Sequence, residues 1–235
     1  MFTFKQFTVQ QDRCAMKIGT DGVLLGAWCP IDNQPFSVLD IGAGTGILSL
    51  MLAQRSNAKQ IDAIEIDDDA FEQCVENFES SSWTDRLYCY HAGLDEFMDE
   101  PEDQYDIIIS NPPFYSEDYK SDNQQRDLAR FQDALSFEDL VEAASMLLCE
   151  NGIFSVIIPY KEETKFIGFA KECNLFPFKI TRVKGTPTTE IKRSLLAFSF
   201  TKKRKVEEDE LVIETSRHEY TDDYIKLTQD FYLKM

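Results

Sequence analysis

Phe36-Ser37-Val38-Leu39-Asp40-Ile41-Gly42-Ala43-Gly44-Thr45-Gly46-Ile47-Leu48-Ser49-Leu50-Met51-Leu52-Ala53 passes from a short apolar run, through alternating glycines, into a longer apolar run. The first part has strand length and ends at a breaker, and the second has helix length, so the stretch predicts strand, tight turn and helix. A glycine-rich turn in that position lets a ligand approach the backbone closely, with a helix N-terminus behind it. The dinucleotide fingerprint requires a glycine where Ile47 stands, so that motif does not match.

Outward from this unit, strand candidates at 36–41, 60–66, 86–91 and 105–110 alternate with helix candidates at 46–55, 68–80 and 93–99. Such alternation predicts a parallel sheet covered on both faces. A helix at 136–148 follows, capped by Ser136 or Asp133 and stopped by Asn151-Gly152. The strand 152–158 closed by Pro159, a helix at 161–173 and strands at 176–184 and 194–200 complete an α/β, Rossmann-like pattern with a seven-stranded, mostly parallel sheet. Asp67-Asp68-Asp69 reads as a helix start favoured by the macrodipole rather than as a metal site. With no repeat or linker, the 235 residues read as one domain: an extension at 1–30, a core at 31–200 and a second extension at 201–235.

Tyr105-Asp106-Ile107-Ile108-Ile109-Ser110 ends in Asn111-Pro112-Pro113-Phe114. Two prolines stop the strand and hold the residues before them extended. The Asn111 amide, the Pro112 carbonyl and the Phe114 ring are thereby displayed at the carboxyl end of a strand, where open α/β sheets bind ligands. Two acceptors beside an aromatic face suit a planar group with an exocyclic amine, such as adenine; a plain strand-ending loop is the other reading. Near the end of 60–66, Glu65 occupies a place where an acid can hold ribose hydroxyls.

The net charge of −18 is unevenly spread. Residues 31–175 carry 9 basic and 30 acidic side chains, whereas residues 176–205 carry 9 basic side chains and only Glu190 as an acid. A local excess of this size can attract phosphates, because exposed charges beyond about 8 Å are screened at physiological salt. Alternatively, Lys202-Lys203-Arg204-Lys205 pairs with Glu207-Glu208-Asp209-Glu210 across a turn. Lys179, Arg182, Lys184, Lys192 and Arg193 have little acid near them in sequence. In the long polar stretch 114–134, Arg126 and Arg130 lie one helical turn apart and suit either a phosphate or helix salt bridges. Six scattered cysteines without a Cys-x-x-Cys pair, and two histidines, point away from metal binding and toward reduced thiols in a cytoplasmic protein. No segment has the length of a membrane span, and no secretory signal opens the chain.

Asp40 followed by Gly42, Gly44 and Gly46 resembles the cofactor loop of S-adenosylmethionine-dependent methyltransferases. The whole chain resembles the bacterial tRNA(Val) adenine-37 N6-methyltransferases. The likeness runs through Phe4-Lys5-Gln6-Phe7, Asp12-Arg13-Cys14-Ala15-Met16-Lys17-Ile18-Gly19-Thr20-Asp21-Gly22 and Leu24-Leu25-Gly26-Ala27-Trp28. It continues through the glycine loop, Ser110-Asn111-Pro112-Pro113-Phe114, Leu195-Leu196-Ala197-Phe198-Ser199 and Leu227-Thr228-Gln229-Asp230-Phe231-Tyr232-Leu233. The two terminal blocks select this family; the loop and the Asn-Pro-Pro-aromatic run are shared more widely.

The resemblance implies a class I methyltransferase fold, S-adenosylmethionine as cofactor and a tRNA anticodon loop as partner. It implies catalysis by Asn111, Pro112 and Phe114. Cofactor contacts would come from Asp40, Gly42, Gly44, Gly46, Glu65 and Asn111, with Thr20 and Asp21 in a covering turn. That turn is otherwise a simple helix start. Lys17 would meet the cofactor carboxylate or RNA, and Arg126, Arg130, Lys184, Lys192 and Arg193 would meet RNA. Two positions depart from the pattern: Phe114 replaces the usual tyrosine, and Gly93 stands where many relatives carry an acid toward the cofactor adenine, leaving that contact to Asp95 or to backbone. Protein glutamine N5-methylation, which uses the same Asn-Pro-Pro-aromatic chemistry, and a catalytically silent RNA-binding factor are the competing functions. DNA adenine methylation would need a recognition domain for which no residues are left over.

Overall fold

The computed structural model describes residues 1–99, 104–113 and 135–234. After a short hairpin of β1 (Phe2–Thr3) and β2 (Thr8–Val9) come α1 (Thr20–Trp28), β3 (Ser37–Ile41), α2 (Ile47–Arg55), β4 (Gln60–Glu65), α3 (Asp68–Glu79), β5 (Leu87–His91), α4 (Leu94–Asp99) and β6 (Tyr105–Ser110). The second half holds α5 (Phe137–Leu147), β7 (Leu148–Pro159), a 3₁₀ turn (Tyr160–Glu162), α6 (Glu163–Glu172), β8 (Phe176–Lys184) and β9 (Ile191–Ser199). It closes with β10 (Glu207–Val212), a hairpin of β11 (Glu214–Ser216) and β12 (Glu219–Tyr220), and α7 (Asp222–Thr228).

One sheet organises the molecule, in the order β10-β8-β9-β7-β6-β3-β4-β5. Within it β9 alone is reversed: it pairs antiparallel with both β7 and β8, while every other pairing is parallel. The carboxyl ends of β3, β4, β6, β7 and β8 therefore share one edge with the start of β9. Alternation of side chains across the pleat divides the core. Ile107 and Ile109 join the cluster built with α1, α2 and the N-terminal residues Phe4 and Val9, whereas Ile108 and Leu39 join the one under α5 and α6. Among the described residues, no helix is long and apolar enough to cross a membrane.

The sheet has eight strands where the pattern predicted seven. The eighth, β10, runs parallel to β8 over six paired residues, from Glu207 against Lys179 to Val212 against Lys184. Its sequence carries four consecutive acids and no alternation, and cross-strand ion pairs hold it: Arg182 to Glu208 at 3.0 Å and Lys184 to Glu210 at 2.9 Å. β7 also starts earlier than Gly152, at Leu148, so α5 passes directly into a strand. The α5 start is capped as expected, with Ser136 Oγ accepting from the Asp139 amide. Asp67 likewise caps α3 by accepting from the Ala70 amide at 2.9 Å, which gives the acidic run a helix-starting role.

Candidate active site

The three loop glycines all have positive φ, 75° at Gly42, 55° at Gly44 and 76° at Gly46, a region costly for residues with a Cβ. The Gly42 and Ala43 amides both donate to the Ile64 carbonyl at 3.0 Å, tying the loop to the end of β4. Glu65 completes the tie: one oxygen accepts from the Gly44 amide at 2.7 Å and the other from the Asp67 amide at 3.0 Å. Each carboxylate oxygen keeps a further lone pair for a diol. A Cβ placed on Gly42 or Gly44 would meet nothing within 4 Å, so these two positions open a cradle. Gly46 differs. There a Cβ would lie 2.5 Å from Phe78 Cε1 and 2.8 Å from Cys74 Sγ, so packing against α3 by itself requires glycine.

Asp40 lies fully buried beneath the loop and accepts from the Ser49 amide at 3.1 Å and the Ser49 hydroxyl at 2.8 Å through one oxygen. It thereby fastens the first turns of α2 in place of a side chain at the N-cap Gly46. Its other oxygen, Oδ1, is buried with no partner among the described residues. Burial pushes the carboxyl up to about 7; the Ser49 bonds oppose that rise and the Glu65 charge adds to it. Because the folded-state value lies above the ordinary one, this group's stabilising contribution is full below about pH 4 and declines as pH rises toward 7. Ligand-free Asp40→Asn is therefore expected to gain melting temperature relative to the wild type between pH 4 and 7, with the difference levelling above. A constant difference across that range, in parallel thermal melts, would contradict the buried-carboxyl assignment.

The N-terminal arm lies along α3, which holds it down beside the glycine loop. Asn77, 1 % exposed, accepts from the Gln10 amide at 2.7 Å and donates to the Gln10 carbonyl at 3.0 Å and the Thr45 carbonyl at 2.9 Å. One turn earlier, Gln73 accepts from the Arg13 amide at 2.9 Å and donates to Asp12 at 3.0 Å, while Arg13 pairs with Glu72 and Glu76. The arm thus brings Cys14 beside the Glu65 corner: burial, and next the charges of Glu65 and Asp67, push its thiol up to about 11. Lys17 and Thr20 are exposed, and Asp21 in the first turn of α1 accepts from Arg193 Nε at 2.7 Å. Because Asn77 joins arm and glycine loop, Asn77→Ala is expected to weaken cofactor binding about tenfold and to speed amide exchange at Gln10, through loss of bonds worth about 1 kcal/mol each. Unchanged affinity and exchange would remove Asn77 from that role.

Asn111 follows β6 beside the glycine loop. Asp40 and Ile109 are paired across β3 and β6, and Ser110 Oγ donates to the Ile41 carbonyl at 2.8 Å, so Asn111 and Gly42 leave adjacent strand ends about 4.8 Å apart. Asn111 is half-buried and Pro112 buried. Phe114, Arg126 and Arg130 lie outside the described residues.

On the far side of Glu65, Ile66 is 61 % exposed, and a Cβ on Gly93 would sit 3.4 Å from its Cδ1. Exposed Ile66 and the bare Gly93 backbone thus offer an apolar ledge suited to a planar ring, and His91, stacked on Phe71 at 5.0 Å, adjoins it with Nε2 3.1 Å from the Ile66 carbonyl oxygen. The sequence pattern placed Ile66 at the end of the strand 60–66 without singling it out. Asp95, offered as a substitute for the missing acid, is exposed in the first turn of α4.

The basic residues divide by position. Lys184, Lys192 and Arg193 lie at the carboxyl edge, with Lys184 bound to Glu210 and Arg193 to Asp21. Arg182 pairs with both Glu163 and Glu208, and Lys179 sits over the Trp28 ring at 5.0 Å. For Arg182, Lys184 and Arg193 the acids absent nearby in sequence are supplied by the fold. Lys202 to Lys205 follow the end of reversed β9 and so lie about 25 Å away, at the opposite edge. Among the described residues the turn pairing, the alternative reading of that run, is not formed; Glu208 and Glu210 pair with β8 instead.

Residues 29–167 match the family described as the methyltransferase small domain. A tRNA1(Val) (adenine(37)-N6)-methyltransferase from Flavobacterium johnsoniae is 68 % identical over 235 residues, covering 100 % of both chains. The protein of the same name from Christiangramia forsetii is 59 % identical, covering 100 % of this chain and 98 % of its own. Among solved structures, a predicted O-methyltransferase from Agrobacterium tumefaciens superposes with TM-score 0.69 at 19 % identity, over 90 % of this chain and 96 % of that one. A ribosomal protein L11 methylase from Lactobacillus delbrueckii subsp. bulgaricus gives TM-score 0.53 at 18 % identity, over 76 % of each chain. At these identities the structural likeness establishes the fold alone, a class I methyltransferase.

Proposed function

This chain belongs to the tRNA1(Val) (adenine(37)-N6)-methyltransferase family, and from that membership we propose that it transfers the methyl group of S-adenosylmethionine to N6 of adenine 37 in the anticodon loop of tRNA(Val). The observation that carries the reading is the juxtaposition of Asn111 with the open glycine cradle at neighbouring strand ends. The residues present fit the cofactor: a cradle that Cβ atoms would fill, a carboxylate beside it, an apolar ledge and an unpartnered buried oxygen. When bound, S-adenosylmethionine supplies a methyl carbon already activated by a sulfonium leaving group.

In this reading Gly42 and Gly44 admit the methionine end, Asp40 lies beneath it, and Glu65 takes the ribose hydroxyls through its remaining lone pairs. Thr20 and Asp21 close the cover, fixed by Arg193. The Asn111 side-chain oxygen and the Pro112 carbonyl accept hydrogen bonds from the adenine amine, drawing its lone pair out of ring conjugation and aiming it in line. Held so by Asn111 and Pro112, the amine nitrogen would bond to the methyl carbon that the bound donor supplies. The carbon–sulfur electrons would return to sulfur, and the surplus amine proton would pass to water. No strong base is needed, and positioning supplies the main effect. Phe114 stacks on the extruded base; in an unpaired loop this costs less than in a duplex. Arg126, Arg130, Lys184 and Lys192 are offered to the RNA. The chain works as one methyltransferase domain in the cytoplasm, with 31–200 as core and the extensions 1–30 and 201–235 as cover and flank.

The test is where a labelled methyl group goes when the enzyme is offered unmodified tRNA(Val) and protein together. Label in the RNA fraction agrees; label in protein as N5-methylglutamine, with none in RNA, would return the glutamine reading.

A further inference from the structure

We infer that the open cavity between the end of β7 and the β8–β9 turn is a stacking subsite for a second unpaired nucleobase of the RNA loop, with Tyr160 as its platform. This rests on the RNA reading above. The cavity measures about 410 Å³ and is lined by Tyr160, Lys184, Thr188, Thr189, Glu190 and Ile191, a volume within the range of small-molecule sites.

Position comes first. Ser110 is in register with Val156 on β7, so Tyr160, just past Pro159, lies about 10 Å further along the same direction than Asn111 and one strand across. Lys184 and Ile191 face each other across β8 and β9 at that edge. A loop that delivers one base to Asn111 therefore passes this cavity with a neighbouring base.

Chemistry comes second. Tyr160 is 41 % exposed although its backbone is held in a 3₁₀ turn, and the Arg182 guanidinium lies 6.0 Å from its ring centroid. Exposed aromatic rings are the usual platforms for unstacked bases in single-stranded RNA. The remaining wall offers no uncompensated positive charge, because Lys184 is bound to Glu210 at 2.9 Å and Glu190 adds an acid to the lining. A neutral planar base fits such a wall better than a phosphate does. The turn is also fixed: the Thr186 amide donates to Thr189 Oγ1, which donates in turn to the Thr186 carbonyl, both at 2.9 Å.

The experiment uses the full chain and an anticodon stem-loop RNA of tRNA(Val), intact or with one loop base other than adenine 37 removed at a time. Binding is read by fluorescence anisotropy, cofactor affinity by calorimetry and methylation by nucleoside analysis. Tyr160→Ala and Tyr160→Leu are each expected to weaken intact RNA about tenfold, with cofactor affinity unchanged, and Tyr160→Phe to stay within about twofold. One abasic RNA is expected to lose about tenfold on the wild type and nothing further on Tyr160→Ala, because both changes remove the same contact. Wild-type affinity in Tyr160→Ala and Tyr160→Leu, or losses that add for every abasic RNA, would overturn the subsite while a methylated stem-loop left the function standing. No methyl transfer to the stem-loop by the wild type would overturn both.

Discussion

Asn111→Ala is expected to slow methyl transfer about a thousandfold while S-adenosylmethionine binds within about threefold of wild type. The contrast follows from what the side chain does in the proposed reaction. Its oxygen orients the amine at the moment of attack, and removing one such preorganised partner costs about 10²–10³ in rate. In that proposal cofactor binding rests on other groups: the open glycine cradle, Glu65 and the exposed Ile66 ledge. A change confined to the rate, with little change in affinity, is the signature of a contact made in the transition state. Single-turnover rates with calorimetric cofactor affinities would show it. Activity within tenfold of wild type would remove Asn111 from catalysis.

Gly44→Ala and Gly46→Ala are expected to fail in opposite ways, though the two glycines look equivalent in sequence. At Gly44 the added methyl meets nothing within 4 Å, so the chain accommodates it for the roughly 1–2 kcal/mol of a left-handed alanine. That methyl stands in the cradle, and cofactor affinity should fall about a hundredfold with little loss of melting temperature. At Gly46 the methyl would meet Phe78 at 2.5 Å and Cys74 at 2.8 Å. Overpacking plus backbone strain should cost about 3 kcal/mol, about 6–12 °C of melting temperature for a chain of this size. Equal losses of affinity and stability in both variants would erase the distinction between a ligand-facing and a packing glycine.

How far such detail is legible in sequence depends on where the partners lie. β3, β4 and β6 were readable because buried parallel strands are nearly continuous apolar runs, and the glycine loop and Asn111 were readable because their chemistry is local. β10 was not, since four acids in a row carry no apolar period and make a strand only beside the basic residues of β8. Gln73 and Asn77 were not singled out, because their partners in the arm lie 60 or more residues away in the chain. Arg193 looked like a free cation because its partner, Asp21, is 172 residues away in the chain. Asp40 was recognised as a loop residue, but its burial and its bonds to Ser49 depend on how α2 packs. Ile66 escaped notice because an isoleucine ending a strand is ordinarily core.

The most direct test of the whole assignment is to map the methyl group on unmodified tRNA(Val) after incubation with the wild-type enzyme and S-adenosylmethionine. Nucleoside and fragment mass spectrometry should find a single N6-methyladenosine at position 37 and none when that adenine is replaced by guanine. A methyl group on another nucleoside or position, or undiminished methylation of the guanine-37 transcript, would contradict it.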